Sequence, residues 1–333
     1  MRYCITGATG LLGGNLAIML LEAGHEVVAT KRASSNTDHL SNLNITWVEA
    51  PLSDTHGLTR AFEGCDGVFH CAAAVSVLVK IEPWIYEANV TGTQNVIDAV
   101  KAAGVPRLLH CSTVGAVGLS LDGQPCDEGA TWNMPDFGLG DAYVTTKHQA
   151  QELVLKAVAA GGLDAVIVNP TYMIGPHDAK LSSGKLVAEL VLGKVPGYTL
   201  GKNNFVDVRD VARGMVQAFE KGNTGELYIL SGHNMTYKAF MDTVCQQTGA
   251  KPITRRVPNW LGRIVGIGGD LQHKLTGKEP LLNTATIRWS QTDRFIFKSD
   301  KAKRELGYTI SPIEPAIKDA AAWFRQHGHL PPA

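Results

Sequence analysis

The sequence predicts an α/β fold, a doubly wound parallel sheet with a smaller C-terminal lobe. Three observations predict it. Short apolar runs alternate with helical patterns through the first half of the chain. A glycine-rich turn joins the first run directly to the first helix. After Pro170 the alternation weakens, and Gly, Pro and isolated aromatics become frequent. Strands separated by helices need right-handed crossovers, which place helices on both faces of a parallel sheet.

The elements follow in order. Residues 2–6 read as a strand and 11–23 as a helix stopped by Gly24. Residues 26–30 and 45–49 give the second and third strands, followed by a short helix over 58–62. The continuously apolar run 67–71 is a buried fourth strand. A long helix spans 87–103 and stops at Gly104; 107–111 is a fifth strand, 142–160 a second long helix, and 165–169 a sixth strand. Beyond Pro170, only a helix starting near Val208 and a strand over 227–230 read as core elements.

Composition narrows the function. The 333 residues carry 31 Lys+Arg against 31 Asp+Glu, a balance that argues against a nucleic-acid surface. With 44% hydrophobic and 19% charged residues the chain reads as globular. No apolar run reaches the ~18–20 residues of a membrane span, so no membrane partner is expected, and the N-terminus shows no signal-peptide pattern. The six cysteines show neither C-x-x-C nor zinc-finger spacing. They read as small buried thiols of a reducing, cytoplasmic compartment. The histidines are scattered, and no metal site is expected.

Thr6-Gly7-Ala8-Thr9-Gly10-Leu11-Leu12-Gly13 follows the first strand and opens the first helix. Gly7 allows a tight turn, Gly10 lets backbone approach a pyrophosphate, and Gly13 lets helix and sheet pack closely. The helix N-terminus offers free N–H groups and partial positive charge to phosphates. The spacing is G-x-x-G-x-x-G, and with it the chain resembles the extended short-chain dehydrogenase/reductase family of the NAD(P)-dependent epimerase/dehydratase superfamily. The resemblance runs through almost the whole chain. It implies a Rossmann domain over residues 1–175, with 205–232 returning to it. Residues 176–204 and 233–333 would then form mainly a substrate lobe.

The second strand ends at Lys31-Arg32, and no acidic residue lies between Val27 and Thr37. A carboxylate there would favour the ribose 2′-hydroxyl of NAD, whereas Lys31 and Arg32 would attract a 2′-phosphate. NADP(H) is therefore favoured over NAD(H). Family members commonly carry Gly-Asp-Leu after the third strand, the Asp meeting adenine. This chain has Ala50-Pro51-Leu52, so that contact must come from Asp54, backbone or water.

Tyr143 and Lys147 stand at i and i+4, one helical turn apart on one face, behind Asp141 as a helix N-cap. The resemblance makes Tyr143 the general acid and Lys147 the cation that lowers its pKa and holds the nicotinamide ribose. Thr113, five residues before Gly118, would hydrogen-bond the developing oxyanion; Ser112 is the neighbouring alternative, turned inward to hold backbone. The family pattern also carries the cofactor role to Gly7, Thr9, Gly10, Leu11, Leu12, Leu52, Cys71, Ala72, Ala73, Pro170, Tyr172 and Met173. Asn89 would bond backbone near the site and Gly92 would allow tight packing. For Asn89 and His70 a purely structural role weighs at least as much.

Sugar-nucleotide members place an Arg-Asp step where this chain has Asn203-Asn204, and a His where it has Asp207. A diphosphate would want a cation there. Val77, Trp84, Trp132, Met134, Phe137, Tyr172, Met173 and Trp260 are candidates for an apolar or aromatic substrate pocket, and Val77, Trp84, Trp132, Phe137 and Tyr172 are expected to contact the substrate. The chain most resembles the dihydroflavonol-4-reductase-like branch. The implied activity is NADPH-dependent reduction of a ketone or aldehyde in a medium-sized, largely apolar molecule. Two alternatives stay open: a sugar-nucleotide epimerase or dehydratase with tightly held cofactor, and a redox-sensing regulator without turnover. The resemblance also leaves open a homodimer through the 87–103 and 142–160 helices, or a monomer.

Overall fold

The computed structural model describes residues 1–278, 280 and 282–332. Its strands are β1 (Arg2–Thr6), β2 (Glu26–Lys31), β3 (Ile45–Glu49), β4 (Gly67–His70), β5 (Leu108–Cys111), β6 (Ala165–Pro170), β7 (Tyr172–Ile174), β8 (Lys202–Asp207), β9 (Leu227–Leu230) and β10 (His233–Thr236). Seven of them form a parallel sheet in the order β3-β2-β1-β4-β5-β6-β9. The strand order reverses between β1 and β4, where Thr6 lies beside His70. In doubly wound sheets, ligands bind outside the strand carboxyl ends at such a switch point.

Helices α1 (Leu11–Glu22), α2 (Thr55–Phe62), α3 (Pro83–Tyr86), α4 (Gly92–Ala102) and α5 (Ala142–Ala159) come from the first half of the chain. Asp54 starts α2 earlier than expected, because its carboxylate accepts the Gly57 N–H at 2.9 Å. The expected 87–103 helix is also longer and broken. It begins at Pro83, and α3 passes into α4 through a π-turn over Glu87–Thr91.

The second half supplies α6 (Lys185–Val191), α7 (Val208–Lys221), α8 (Tyr237–Thr248), α9 (Asn259–Thr276), α10 (Thr284–Gln291), α11 (Asp300–Leu306) and α12 (Ile313–Gln326). Of these, α7 packs on α1, and β9 extends the main sheet beside β6. In contrast, β8 belongs to a separate three-stranded sheet ordered β10-β8-β7. One face of the main sheet buries Leu16, Leu20, Val211 and Met215; the other buries Leu58, Phe62, Val96 and Val154. A third core, around Phe205, Phe240 and Phe324, holds α6, α8 and α12 on the small sheet. Asn204 ties that sheet to β6 and β9: its side-chain Oδ1 accepts from Thr171 Oγ1 at 2.8 Å and from the Gly232 N–H at 2.6 Å.

Candidate active site

The glycine turn is held by backbone rather than by side chains. Gly7 has φ +81°, and a Cβ there would meet the Ala72 nitrogen at 2.6 Å. A Cβ on Gly13 would meet the Gly7 carbonyl at 2.4 Å. Both positions therefore require glycine. Gly10 is different: a Cβ there would find only the Gly7 carbonyl, at 3.4 Å, so the space beside it is open. Gly10 is the N-cap of α1 and no side chain caps it, so helix N–H groups remain for an anion. Thr9, Leu11 and Leu12 are buried around this turn.

Opposite lies the strip Cys71-Ala72-Ala73. Thr6 holds it, with its carbonyl accepting from the Cys71 N–H at 3.1 Å and its hydroxyl from the Ala72 N–H at 3.3 Å. The same hydroxyl meets His70 Nδ1 at 2.7 Å, and His70 Nε2 meets Thr93 Oγ1 at 3.1 Å. His70 is thus a buried strut, its pKa driven down to about 3 by burial and then by the Lys147 charge. The Gly175–Pro176 turn is drawn to the same edge, because Asn15 Nδ2 donates to the Leu11 and Pro176 carbonyls at 2.8 and 2.9 Å. Pro170 closes β6, and Met173 packs against the core beneath. An open, uncapped helix end facing a strip without bulky side chains fits a dinucleotide pyrophosphate.

At the end of β2, Lys31 is half-buried and Arg32 exposed, in a turn closed by Arg32 N–H to Ser35 Oγ at 3.2 Å. The strand register sets Glu49 beside Lys31, an acidic neighbour 18 residues away in sequence. Asp54 is committed to the α2 cap. The Leu52 carbonyl accepts from Asn95 Nδ2 at 2.7 Å, and the Leu52 side chain fills the notch left by Gly92.

Tyr143 and Lys147 project from the first turns of α5 toward the end of β5. Asp141 caps that helix as expected, accepting the Val144 N–H at 2.9 Å. Its second oxygen accepts from Trp289 Nε1 at 2.6 Å. Burial raises the Asp141 pKa to about 6. Thr113 lies within hydrogen-bonding reach of the Tyr143 phenol and favours its ionised form, but burial outweighs this and the Tyr143 pKa is raised. Buried Lys147 donates to the Cys111 carbonyl at 2.7 Å. Burial, the largest cause of the rise, opposes the expected lowering of the Tyr143 pKa. The Lys147 charge is spent on the strand end, and desolvation dominates at the tyrosine.

Thr113 is fixed by its neighbours. Its hydroxyl accepts the Gly115 N–H at 3.3 Å, and its carbonyl accepts from Asn169 Nδ2 at 2.9 Å. Ser112 is buried and turned inward, but its hydroxyl has no partner and holds no backbone. Asn89 bonds the Ala74 N–H and carbonyl at 2.7 and 3.0 Å and the Thr146 hydroxyl at 2.9 Å. It joins the loop after β4 to the helix of Tyr143.

The apolar candidates do not converge. Trp132 stacks on His148 at 4.0 Å and donates to the Gly115 carbonyl at 3.0 Å, behind the Thr113 turn. Met134 is buried beside it. Tyr172 donates to the Ser183 carbonyl at 2.9 Å and packs edge-on against Phe205 in the small-lobe core. Trp84 and Trp260 are exposed, and Phe137 lies under Arg294. The Val77 carbonyl accepts from Asn283. Trp289, 148 residues from its partner Asp141, was missed because only the fold brings them together.

Comparison with known proteins gives a consistent picture. The family model for the NAD dependent epimerase/dehydratase family matches residues 3–231. The chain is 35% identical to a putative dihydroflavonol 4-reductase of Synechocystis sp., over 98% of this chain and 96% of that one. It is 32% identical to cinnamoyl-CoA reductase 2 of Arabidopsis thaliana, over 98% and 93%. The crystal structure of gox2253 superposes with a TM-score of 0.86 at 35% identity, covering 99% of both chains.

Proposed function

The chain belongs to the NAD dependent epimerase/dehydratase family, is an NAD(P)-dependent oxidoreductase, and from that premise we propose that it reduces a ketone or aldehyde with NADPH. The substrate is a medium-sized, largely apolar carbonyl compound. The observation that carries the reading is that Tyr143 and Lys147 on α5 come to the end of β5, where Lys147 bonds the Cys111 carbonyl and Thr113 opens the next turn. Two hydroxyl donors at one point suit an oxygen that gains charge as its carbon is reduced. The bound nicotinamide supplies the hydride. Tyr143 supplies the proton, and its burial keeps the phenol protonated at neutral pH, as the reductive direction requires. Thr113 orients the carbonyl oxygen, while Lys147 stiffens the strand end and faces the ribose side.

Lys31 and Arg32 favour NADPH through the 2′-phosphate. The sugar-nucleotide alternative is less well supported. Asn203 and Asn204 are buried, bonded to Tyr237, Thr171 and Asn234, and offer no cation to a diphosphate. The six unpaired cysteines fit a reducing, cytoplasmic setting. A homodimer through the outer faces of α4 and α5 accords with this reading; Ala157 and Val158 of α5 and Ala88 of the π-turn before α4 are half-exposed, whereas Ala99 and Ala150 are buried within the chain.

The test is oxidation of added NADPH across a panel of aromatic and aliphatic ketones and aldehydes, with Tyr143→Phe as control. The expected result is turnover that falls by about 10²–10⁴-fold in the variant. Release of NAD⁺ on denaturation, with no oxidation of added NADPH, would overturn the reductase reading in favour of an epimerase.

A further inference from the structure

Helix α9 presents two opposed faces. On one, Gly262, Gly266 and Gly269 are buried. A Cβ on Gly269 would meet the Leu282 carbonyl at 1.8 Å, one on Gly266 the Thr284 Cα at 3.0 Å, and one on Gly262 the Gln291 side chain at 2.8 Å. The helix is therefore seated flush along α10 and the residues leading into it, and cannot roll without clash. On the other face stand Trp260, Ile264, Ile267, Leu271 and Leu275, which are 64%, 59%, 61%, 54% and 77% exposed. At about 100° per residue these five fall within an arc of about 80°, opposite the glycines. The stripe runs most of a helix ~27 Å long. The glycine seat fixes its exposure.

Charge accompanies the stripe. Residues 251–278 contain Lys251, Arg255, Arg256, Arg263, Lys274 and Lys278 against a single acid, Asp270, in a chain whose total charge is zero. These six cations are exposed, and none enters an ion pair among the described residues. Asp270 accepts from Thr284 Oγ1 at 2.7 Å. On the helical projection Arg263 and Lys274 border one margin of the stripe. An apolar ridge edged by long cationic side chains matches a surface that is anionic outside and apolar beneath.

We propose that α9 is an interfacial helix that seats the protein on an anionic lipid bilayer, the stripe lying at the level of the upper acyl chains and the cations among the headgroups. No described helix is long and apolar enough to cross a membrane, and this attachment does not cross one. The helix stands one layer from the candidate site, because α10 carries Trp289, the partner of Asp141 ahead of Tyr143. The proposal does not depend on the reaction assigned above.

Co-sedimentation of the full chain with phosphatidylglycerol-containing or pure phosphatidylcholine vesicles tests it. The expected result is binding to the anionic vesicles that is lost at ~1 M salt, where the screening length is about 3 Å. Ile264→Glu/Leu271→Glu should lower the bound fraction at least about tenfold with an unchanged melting curve. Arg263→Gln/Lys274→Gln, which touches no packing, should weaken binding to anionic vesicles alone. Wild-type protein that stays in solution with both vesicles, or binds both equally, overturns the proposal. So does a double Glu variant that still pellets. A wild-type dimer by light scattering that the Glu variant converts to monomer would assign the stripe to a second copy of the chain instead.

Discussion

At the scale of residues, the site is governed by burial. Asp141 raises the Tyr143 pKa after burial itself and Cys111. In carbonyl reduction the protonated phenol is the active form, so rate falls as pH rises through its pKa. Asp141→Ser keeps a capping oxygen for α5 and removes the charge. The alkaline fall in kcat should therefore begin at lower pH than in wild type; an unmoved limb would show that the carboxylate does not act on the phenol. Arg32 offers a second test. Arg32→Ala should raise the KM for NADPH by about 10–100-fold, the equivalent of a charge-assisted contact of about 1.5–3 kcal/mol, and leave that for NADH nearly unchanged. Equal effects on both cofactors would make the turn an ordinary surface feature. Tyr143, Lys147 and Gly7 could be singled out from sequence because their partners lie within one turn or one motif. The environment of Tyr143 could not, since Asp141–Trp289 and Asn169–Thr113 contacts span 148 and 56 residues.

At the scale of elements, the π-turn over Glu87–Thr91 aims Asn89 inward. All three described bonds of its side chain cross to other elements, two to Ala74 and one to Thr146. Asn89→Ala leaves the Ala74 N–H and carbonyl without this partner. Unfolding free energy should fall by about 1–3 kcal/mol, and protease should cut first in the 72–82 loop. Uniform destabilisation without preferential cleavage there would reduce Asn89 to a helix residue like its neighbours. Strand boundaries were legible because apolar runs of period and length suited to a buried sheet leave few alternatives. The insertion that makes the π-turn adds one residue to a helical pattern without altering its composition, so the sequence shows an unbroken helix there. The small sheet does not show as a sheet in the sequence: β7 and β10 are 3 and 4 residues long, and β10 meets β8 through polar residues, with Asn234 opposite Asn204.

For the whole molecule, acid stability follows from what the sheet buries. His70 titrates near 3 in the fold and near 6.5 when unfolded. The unfolded chain therefore binds the proton first, and His70 stabilises fully above pH ~6.5. That contribution is lost as pH falls, by about 2 kcal/mol at pH 5. His110 acts in the same direction, its pKa lowered by burial, then Lys147, then His70. Asp141 acts oppositely: with a folded pKa of about 6, it gains stability as pH falls from there toward its unfolded value near 4. The two histidines outweigh it. Among the described residues, both ring nitrogens of His110 are without a hydrogen-bond partner in the core, 5.3 Å from His70. His110→Leu should raise stability by about 1–3 kcal/mol at pH 7 and flatten the loss toward pH 5, measured by urea unfolding at both. A variant less stable than wild type at pH 7 would mean the ring is held by contacts worth more than its unpaired nitrogens.

The close contact of Gly7 with Ala72 has a consequence in time. The turn and the strip opposite it are already in contact through backbone, and Thr6 ties both. A dinucleotide laid against this turn would then meet backbone already in place. Mixing experiments should then give a single exponential whose observed rate rises linearly with cofactor concentration. A rate that levels off would mean that encounter waits on a slower rearrangement of the chain, and that this contact of turn and strip is one member of a pair of interconverting shapes.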